Sequence, residues 1–305
     1  MKVFTNSIFR LVLISTFLLV ACGHNAGRID NGDDNEDEGV YQTELTLLDQ
    51  SYGVDPKQKY DIYLPAGRSK DKTPVLFMIH GGGWAAGDKS DYREQIKGFK
   101  ALFPHLAIVS VGYRLANGRT KENQFPTQEN DVKACIEYVL GKREEYKISE
   151  KIGTFGGSAG AHLGMLYAYK YGDTSYKPAA VISLTGPTNI ATLFEHVSST
   201  DDPEKETYYG WFIDGVGGTP DEKAELCRTS SPVTYVNDNS SPTLMLYGAD
   251  DTIVPFQQPN ELHNKLTELD VPHIYRLYPG EWHDLAGVGE KVLQEVTIFI
   301  NTYLK

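Results

Sequence analysis

The chain has 305 residues, of which 40% are apolar and 23% are charged, and its formal net charge at pH 7 is −12. This much apolar material excludes a disordered or fibrous chain, and the acidic balance argues against a nucleic-acid binder, which needs a basic face for phosphates. The chain has three cysteines, too few for a disulfide scaffold, and they have no paired spacing typical of metal ligands.

Residues 1–21 are predicted to be a bacterial lipoprotein signal peptide. Lys2 and Arg10 precede an apolar run over residues 11–20, which is too short to span a bilayer comfortably. The run ends in Leu-Val-Ala-Cys, which resembles the lipobox of bacterial lipoproteins and implies acylation of Cys22 after cleavage. We therefore expect a protein secreted across the inner membrane and anchored in the cell envelope, at the outer membrane. An ordinary signal peptide with a chance cysteine is the alternative.

Residues 22–39 are predicted to be a flexible acidic tether. After the cysteine they are rich in Gly and Asn and carry six carboxylates against a single Arg. A segment of this composition cannot bury enough apolar surface to offset the entropy of ordering it. The folded domain is therefore expected over residues 40–305.

Eight strand-like runs follow the tether, and from the third onward they alternate with helical patterns. The runs cover residues 44–48, 60–64, 75–79, 108–113, 152–155, 180–184, 243–247 and 274–278. Residues 75–79 are continuously apolar, which suits a parallel sheet covered on both faces. Apolar stripes with helical spacing over residues 132–140 and 288–303 indicate two of the covering helices. The alternation predicts one α/β domain with a mostly parallel, eight-stranded, doubly wound sheet and helices on both faces.

A long insertion separates predicted strands six and seven. It covers residues 185–242, whereas such connections usually need only about 2–6 residues. The segment holds several aromatic residues. It is either a surface helix and loop with a small core of its own or a cap that shapes a pocket.

Residues 156–160, Gly-Gly-Ser-Ala-Gly, have the context of a nucleophile elbow. They follow the fifth predicted strand and precede a helix that begins near residue 161. A serine on so sharp a turn needs a strained backbone, and its neighbours two residues away must lack bulk. Gly156 and Gly160 satisfy that condition. Ser158 is therefore the candidate nucleophile.

Residues 80–84, His-Gly-Gly-Gly-Trp, follow the third predicted strand. Glycines let backbone N–H groups approach a ligand oxygen without interference from a Cβ. The N–H groups of Gly82 and Gly83, with that of Ala159 at a helix N-terminus, are predicted to form an oxyanion hole. A glycine-rich turn with no role is the alternative. Neither the dinucleotide fingerprint nor a following Gly-Lys-Ser/Thr is present, which argues against phosphate binding.

An elbow serine needs a base and an orienting carboxylate, in the chain order Ser, acid, His. Asp250 and Asp251 both follow the seventh predicted strand and compete for the role of the acid. His283 lies between the last strand and the last helix and is the candidate base. The imidazole must remove the proton of Ser158, and the carboxylate must hold the imidazole tautomer.

Together these motifs resemble an α/β-hydrolase, and more narrowly the carboxylesterase branch that carries His-Gly-Gly-Gly-Trp. The matching segments are residues 80–84, 87–89, 113–115, 125–126, 156–160, 231–235, 251–255 and 283. Residues 231–235 especially resemble bifunctional acetylxylan esterase/feruloyl esterase-like proteins of gut and rumen bacteria. The resemblance places the acid four residues before the Pro of D-x-x-V-P, which selects Asp251. Trp282 stands where such enzymes often have a small residue, and Trp84 and Trp282 are the candidate pocket residues.

The resemblance implies a serine carboxylic-ester hydrolase acting on short acyl or hydroxycinnamoyl esters, with esters of plant carbohydrate as one candidate class, and needing no cofactor or metal. Its partners would be an ester substrate and, through Cys22, a membrane. A serine peptidase or amidase on the same fold is one alternative. A tethered carbohydrate-binding protein with a vestigial triad is the other. A disulfide between Cys135 and Cys227 is possible in an oxidising compartment, although no sequence pattern supports it.

Overall fold

The computed structural model describes residues 41–173 and 176–305. The predicted signal peptide and the tether with Cys22 lie outside these residues. Eight strands form a single sheet in the described part of the chain. They are β1 (Leu45–Ser51), β2 (Lys59–Leu64), β3 (Val75–Ile79), β4 (Ala107–Val111), β5 (Ile152–Gly157), β6 (Pro178–Leu184), β7 (Thr243–Gly248) and β8 (His273–Tyr278).

The strand order across the sheet is β1-β2-β4-β3-β5-β6-β7-β8. All pairings from β4 through β8 are parallel, whereas β2 is antiparallel to both β1 and β4. The predicted mostly parallel, eight-stranded α/β sheet is confirmed. Each predicted strand lies within three residues of the observed one at either end.

Helices cover both faces of the sheet. The described residues form α1 (Arg93–Leu102), α2 (Thr127–Gly141), α3 (Arg143–Tyr146), α4 (Ala159–Tyr171), α5 (Ile190–Ser198), α6 (Lys205–Val216), α7 (Ala224–Thr229), α8 (Gln257–Glu268) and α9 (Gly289–Tyr303). Within them, no helix combines the length and the apolar character needed to cross a membrane.

The central position of β3 in the sheet explains why its sequence is continuously apolar. Its five residues are all buried, but they divide between two core layers. Phe77 and Ile79 belong to the layer beneath α2, α4 and the insertion, whereas Leu76 and Met78 belong to the layer beneath α1 and α9. Alternate residues of a strand point to opposite faces, so a central strand covered on both sides must be apolar at every position.

The insertion over residues 185–242 contains α5, α6 and α7. Asn189 caps α5, since its side-chain oxygen accepts the N–H of Ala191 at 3.0 Å. The buried aromatic residues of the insertion, among them Phe194 and Phe212, pack into the same core layer as Phe77 of the sheet. The insertion therefore shares the main core instead of forming one of its own. Cys227, on α7, and Cys135, on α2, are both buried and both free, so no disulfide joins them.

Candidate active site

Ser158 lies at the sharp turn between β5 and α4. Its φ of 52° and ψ of −124° are a strained combination for a residue with a Cβ. The turn is possible because the residues two positions before and after Ser158 have no side chains. A Cβ on Gly160 would lie 1.9 Å from the carbonyl oxygen of Ile79, and one on Gly156 would lie 2.4 Å from the carbonyl carbon of Gly160. The turn therefore presses directly against the end of β3.

Asp251 and His283 form a buried hydrogen-bonded pair. The Nδ1 atom of His283 lies 2.7 Å from Oδ2 of Asp251. The other carboxylate oxygen, Oδ1, accepts the backbone N–H groups of Ile253 at 2.9 Å and Val254 at 2.8 Å. The carboxylate is thus fixed on both sides by donors. Asp250, the competing candidate, is exposed.

The second ring nitrogen of His283 has no partner. Its Nε2 atom is buried and makes no hydrogen bond to any described residue, Ser158 included. When Nδ1–H donates to Asp251, the neutral ring carries a free lone pair on Nε2. A buried acceptor without a partner costs stability, so its retention indicates a function. In that tautomer the ring can accept a proton at Nε2.

The backbone at the end of β6 holds Ser158 and His283 in one framework. The N–H of Ser158 donates to the carbonyl oxygen of Leu184 at 2.8 Å. The next residue, Thr185, donates its hydroxyl to the carbonyl oxygen of His283 at 3.1 Å and its N–H to Leu246 at 3.0 Å. Strands β5, β6 and β7 are parallel neighbours, so their carboxyl ends meet at one edge of the sheet. Ser158, Asp251 and His283 all lie at that edge.

The turn after β3 packs against the elbow. A Cβ on Gly81 would lie 2.9 Å from the carbonyl oxygen of Gly157 and 3.5 Å from the Cβ of Ser158. Gly82 has a φ of 111°, and a Cβ there would lie 2.2 Å from the carbonyl oxygen of Ala86. Only glycine fits these positions. The sequence prediction that the glycines permit close backbone approach therefore has a structural basis.

Three N–H groups predicted to form an oxyanion hole lie at this contact. Within residues 41–173 and 176–305, the N–H groups of Gly82 and Gly83 are not donors in the backbone hydrogen bonds of turns and loops. Ala159 is the first residue of α4, so its N–H lacks a partner inside the helix. All three groups are therefore available to an oxygen bound beside Ser158.

Trp84 does not line a pocket, and the prediction that it does is corrected here. Its side chain is only 1% exposed. The ring packs edge-on against Phe212 and meets Gly215, where a Cβ would lie 2.7 Å from the indole. The indole N–H donates to Nδ1 of His162 at 3.2 Å. Trp84 has a φ of 63°, so these contacts hold a strained residue immediately after Gly83.

Trp282, the other candidate pocket residue, is half-buried. Its indole N–H donates to the hydroxyl of Thr252 at 3.1 Å. Sequence reasoning did not identify Thr252, Thr185 or His162 as parts of the site. Thr252 lies inside the D-x-x-V-P motif and His162 lies on the elbow helix, but no spacing rule reveals their partners. Those partners come from distant parts of the chain.

A separate cavity is lined in part by His80. Its volume is about 320 Å³, and the residues that line it include Lys57, Lys59, Asp88 and His80. None of the three triad candidates lines it. The ring of His80 stacks on Tyr113 with centroids 4.1 Å apart, and burial lowers the pKa of His80. His80 therefore packs at the start of the glycine-rich turn, and its burial favours the neutral form of the ring.

The fold and the site define the class of the protein. A mostly parallel sheet with a serine on a strand–turn–helix elbow, a glycine-rich turn after β3 and an Asp–His pair after β7 and β8 is the architecture of an α/β-hydrolase. The BD-FAE family model matches residues 60–266, which is more than half of the chain. The chain belongs to the BD-FAE family.

Two curated proteins illustrate what the chain is similar to in sequence. The chain is 26% identical over 247 residues to the probable carboxylic ester hydrolase LipM of Mycobacterium tuberculosis, covering 76% of this chain and 54% of that one. It is 28% identical over 257 residues to the acylamino-acid-releasing enzyme of Rattus norvegicus, covering 80% and 33%. The chain thus spans about half or less of the length of these relatives.

Two solved structures show the same fold. A bifunctional GH43-CE protein of Bacteroides eggerthii matches with a TM-score of 0.72 at 24% identity, covering 90% of this chain and 36% of that one. A truncated carbohydrate esterase from gut microbiota matches with a TM-score of 0.69 at 24% identity, covering 89% and 99%.

Proposed function

We propose that the protein is a serine carboxylic-ester hydrolase with Ser158, Asp251 and His283 as its catalytic triad. The observation that carries the proposal is the buried Asp251–His283 pair, 2.7 Å apart, whose Nε2 is left without a partner at the same edge as the elbow. A vestigial site would have no reason to keep a buried acceptor unpaired. This argues against a binding protein with an inactive triad.

The geometry supports a two-stage mechanism. His283 Nε2 removes the proton of Ser158, whose oxygen attacks the ester carbonyl, while Asp251 holds the imidazole tautomer and stabilises the imidazolium. The N–H groups of Gly82, Gly83 and Ala159 stabilise the tetrahedral oxyanion, each by roughly 3 kcal/mol at the transition state. His283 then protonates the leaving alkoxide. Water repeats the sequence on the acyl-enzyme and releases the acid.

We propose short acyl or hydroxycinnamoyl esters of carbohydrate as the substrates. The support is that the two solved structures of this fold are a bifunctional GH43-CE protein and a carbohydrate esterase. In this chain, Trp211 lies beside the oxyanion turn, with its Cβ 3.8 Å from where a Cβ on Gly83 would be. Half-buried aromatic side chains at this edge suit a ring-bearing substrate.

The test is an ester panel with the mature chain lacking Cys22, residues 23–305. It compares p-nitrophenyl acetate, butyrate and octanoate with methyl ferulate and an acetylated xylo-oligosaccharide, and it includes an N-acyl amino-acid amide. We expect turnover of the short or carbohydrate esters, lowered by about a thousandfold or more in Ser158→Ala, which should melt at the wild-type temperature.

Two results would overturn the proposal. Faster cleavage of the amide than of any ester would indicate a serine peptidase or amidase on this fold, as the name of the rat relative suggests for that protein. Turnover that survives Ser158→Ala would remove the serine from the mechanism.

We further propose that Cys22 carries a lipid that anchors the mature protein in the cell envelope, at the outer membrane. The support is the sequence Leu-Val-Ala-Cys at the end of the apolar run, followed by a polar, acidic segment. The predicted tether then separates the lipid from the folded domain.

A further inference from the structure

A hydrogen-bond relay lies next to the Asp251–His283 pair. The indole N–H of Trp282 donates to the hydroxyl oxygen of Thr252 at 3.1 Å, and that hydroxyl donates its own proton to the carboxylate of Asp202. We call these three side chains the Thr252 bridge. A hydroxyl suits its centre, because the central group must accept one hydrogen bond and donate another.

The bridge runs alongside the acid–base pair. Thr252 directly follows Asp251, and Trp282 directly precedes His283. Asp250, which directly precedes Asp251, also contacts the histidine loop, since its N–H donates to the carbonyl oxygen of Glu281 at 3.0 Å. The loop after β7 and the loop after β8 are therefore joined by three hydrogen bonds, made by the consecutive residues Asp250, Asp251 and Thr252.

The far end of the bridge belongs to the insertion. Asp202 lies between α5 and α6, and its second carboxylate oxygen accepts the N–H of Glu204 at 2.7 Å, just before α6 begins. Tyr208, one turn further along α6, is buried, and its pKa is raised by that burial and then by the carboxylates of Asp202, Glu204 and Asp251. The start of α6 thus lies close to the acid of the site.

Helix α6 also reaches the oxyanion turn. Trp211 lies near Gly83, and Gly215 lies against the ring of Trp84. The same helix therefore contacts the oxyanion turn through its middle and C-terminal part, and it is connected to the acid and histidine loops through Asp202 at its start.

We propose that Thr252 is a positioning residue that holds the histidine loop and helix α6 of the insertion against the acid loop. The inference rests on the proposed esterase function. Through Trp282 it fixes the loop that carries His283, and through Asp202 it fixes the helix that closes over Gly83. The position of the acid–base pair and the packing of α6 are thereby linked through one hydroxyl group.

The test compares Thr252→Val with Thr252→Ser in the full chain, purified in detergent. Valine keeps the shape but removes both hydrogen bonds, whereas serine keeps the hydroxyl. We expect Thr252→Val to lower kcat on p-nitrophenyl acetate by roughly tenfold with little change in KM, because a misplaced base loses transition-state stabilisation. Thr252→Ser should recover most of kcat. Thr297→Val, which removes one helix hydroxyl that donates to Leu293, is the matched control.

A second readout does not depend on activity. Hydrogen exchange of α6 should be faster in Thr252→Val than in the wild type and unchanged in Thr297→Val, since only the former releases the start of the helix. Trp282→Phe should lower kcat in the same way but leave exchange of α6 near the wild-type rate. Asp202→Ala should show the opposite pattern, with faster exchange and a smaller loss of kcat.

Wild-type kcat and wild-type exchange of α6 in Thr252→Val would overturn the inference while leaving the esterase proposal intact. A loss of kcat in Thr252→Val that serine fails to rescue would also overturn it. Absence of Ser158-dependent turnover in the wild type would instead overturn the proposed function, and the exchange experiment would still decide whether the bridge holds α6.

Discussion

Trp84 and His162 are joined by a buried hydrogen bond that fixes the protonation of the histidine. The indole N–H of Trp84 donates to Nδ1, so Nδ1 carries no proton, and Nε2 lies 2.8 Å from the carbonyl oxygen of Ser230, which requires a proton there. His162 is therefore a neutral ring that connects the oxyanion turn to the end of the insertion. Protonation would place a second hydrogen on Nδ1, facing the indole donor.

This arrangement predicts an acid-sensitive stability. Burial lowers the pKa of His162 from its ordinary value of 6.5 to about 4. Between these values the unfolded chain binds a proton that the folded chain does not, so stability falls as the pH decreases. From about pH 7 to about pH 5, His162 should lower the unfolding free energy by about 2 kcal/mol.

His162→Asn provides the comparison, because asparagine can still offer an acceptor to Trp84 but does not titrate. Urea unfolding of both proteins at the two pH values isolates the contribution of His162 to the unfolding free energy. Other groups, His80 among them, contribute equally to the pH dependence of both proteins. Equal pH dependence in the wild type and the variant would show that His162 is not kept neutral by the fold.

Asp251→Asn and Asp250→Asn should differ strongly in their effect on activity. Asp251 contacts His283, and its amide replacement would favour the wrong imidazole tautomer, so kcat should fall about a thousandfold or more. Asp250 is exposed, and its variant should stay within about threefold of the wild type, as expected for a surface site. Steady-state kinetics on p-nitrophenyl acetate measure both. A larger loss in Asp250→Asn would assign the acid to that residue instead.

Gly160→Ala should be strongly destabilising because the new Cβ would lie 1.9 Å from the carbonyl oxygen of Ile79. We expect a loss of about 3 kcal/mol or more, from overpacking at a backbone that cannot move without disturbing β3. Gly98→Ala is the matched control. Gly98 is on α1 with nothing near its missing Cβ, so alanine there should stabilise the protein by about 0.5–1 kcal/mol. Thermal melts compare the two, and similar melting temperatures would contradict the close contact between elbow and β3.

Cys22→Ala should release the protein from membranes. Alanine has no thiol to acylate, so the variant loses the lipid through which the mature chain is proposed to be held. Fractionation of cells expressing either form, with immunoblotting of the membrane and soluble fractions, measures the change. Continued membrane association of the variant would count against the lipid anchor.

Local sequence predicted the parts of this molecule that depend on local contacts. The apolar run of β3 could be predicted because a strand covered on both faces must be apolar throughout. The glycines around Ser158 could be predicted to form the elbow because that turn excludes side chains. The pairing of Asp251 with His283 followed from the α/β-hydrolase resemblance, since 32 residues separate the two partners.

Features that depend on distant contacts were predicted poorly. Trp84 follows three glycines near a site, so sequence alone favoured a pocket role, but α6 covers the ring with residues more than a hundred positions away. The contact of Thr252 with Asp202 joins two loops whose approach depends on how the insertion packs. No periodicity or motif records that packing.

The direction of β1 has a consequence for the proposed tether. Tyr41, the first described residue, lies just before β1, with Arg68 and Lys147 over its ring, and β1 runs parallel to β4 through two antiparallel pairings. The polypeptide thus enters the domain at the amino-terminal edge of the sheet, opposite Ser158. Under the lipid anchor proposed at Cys22, the tether would join the domain on the side opposite Ser158. That arrangement would leave the edge that carries Ser158 facing away from the attachment point and accessible to substrates in the surrounding medium.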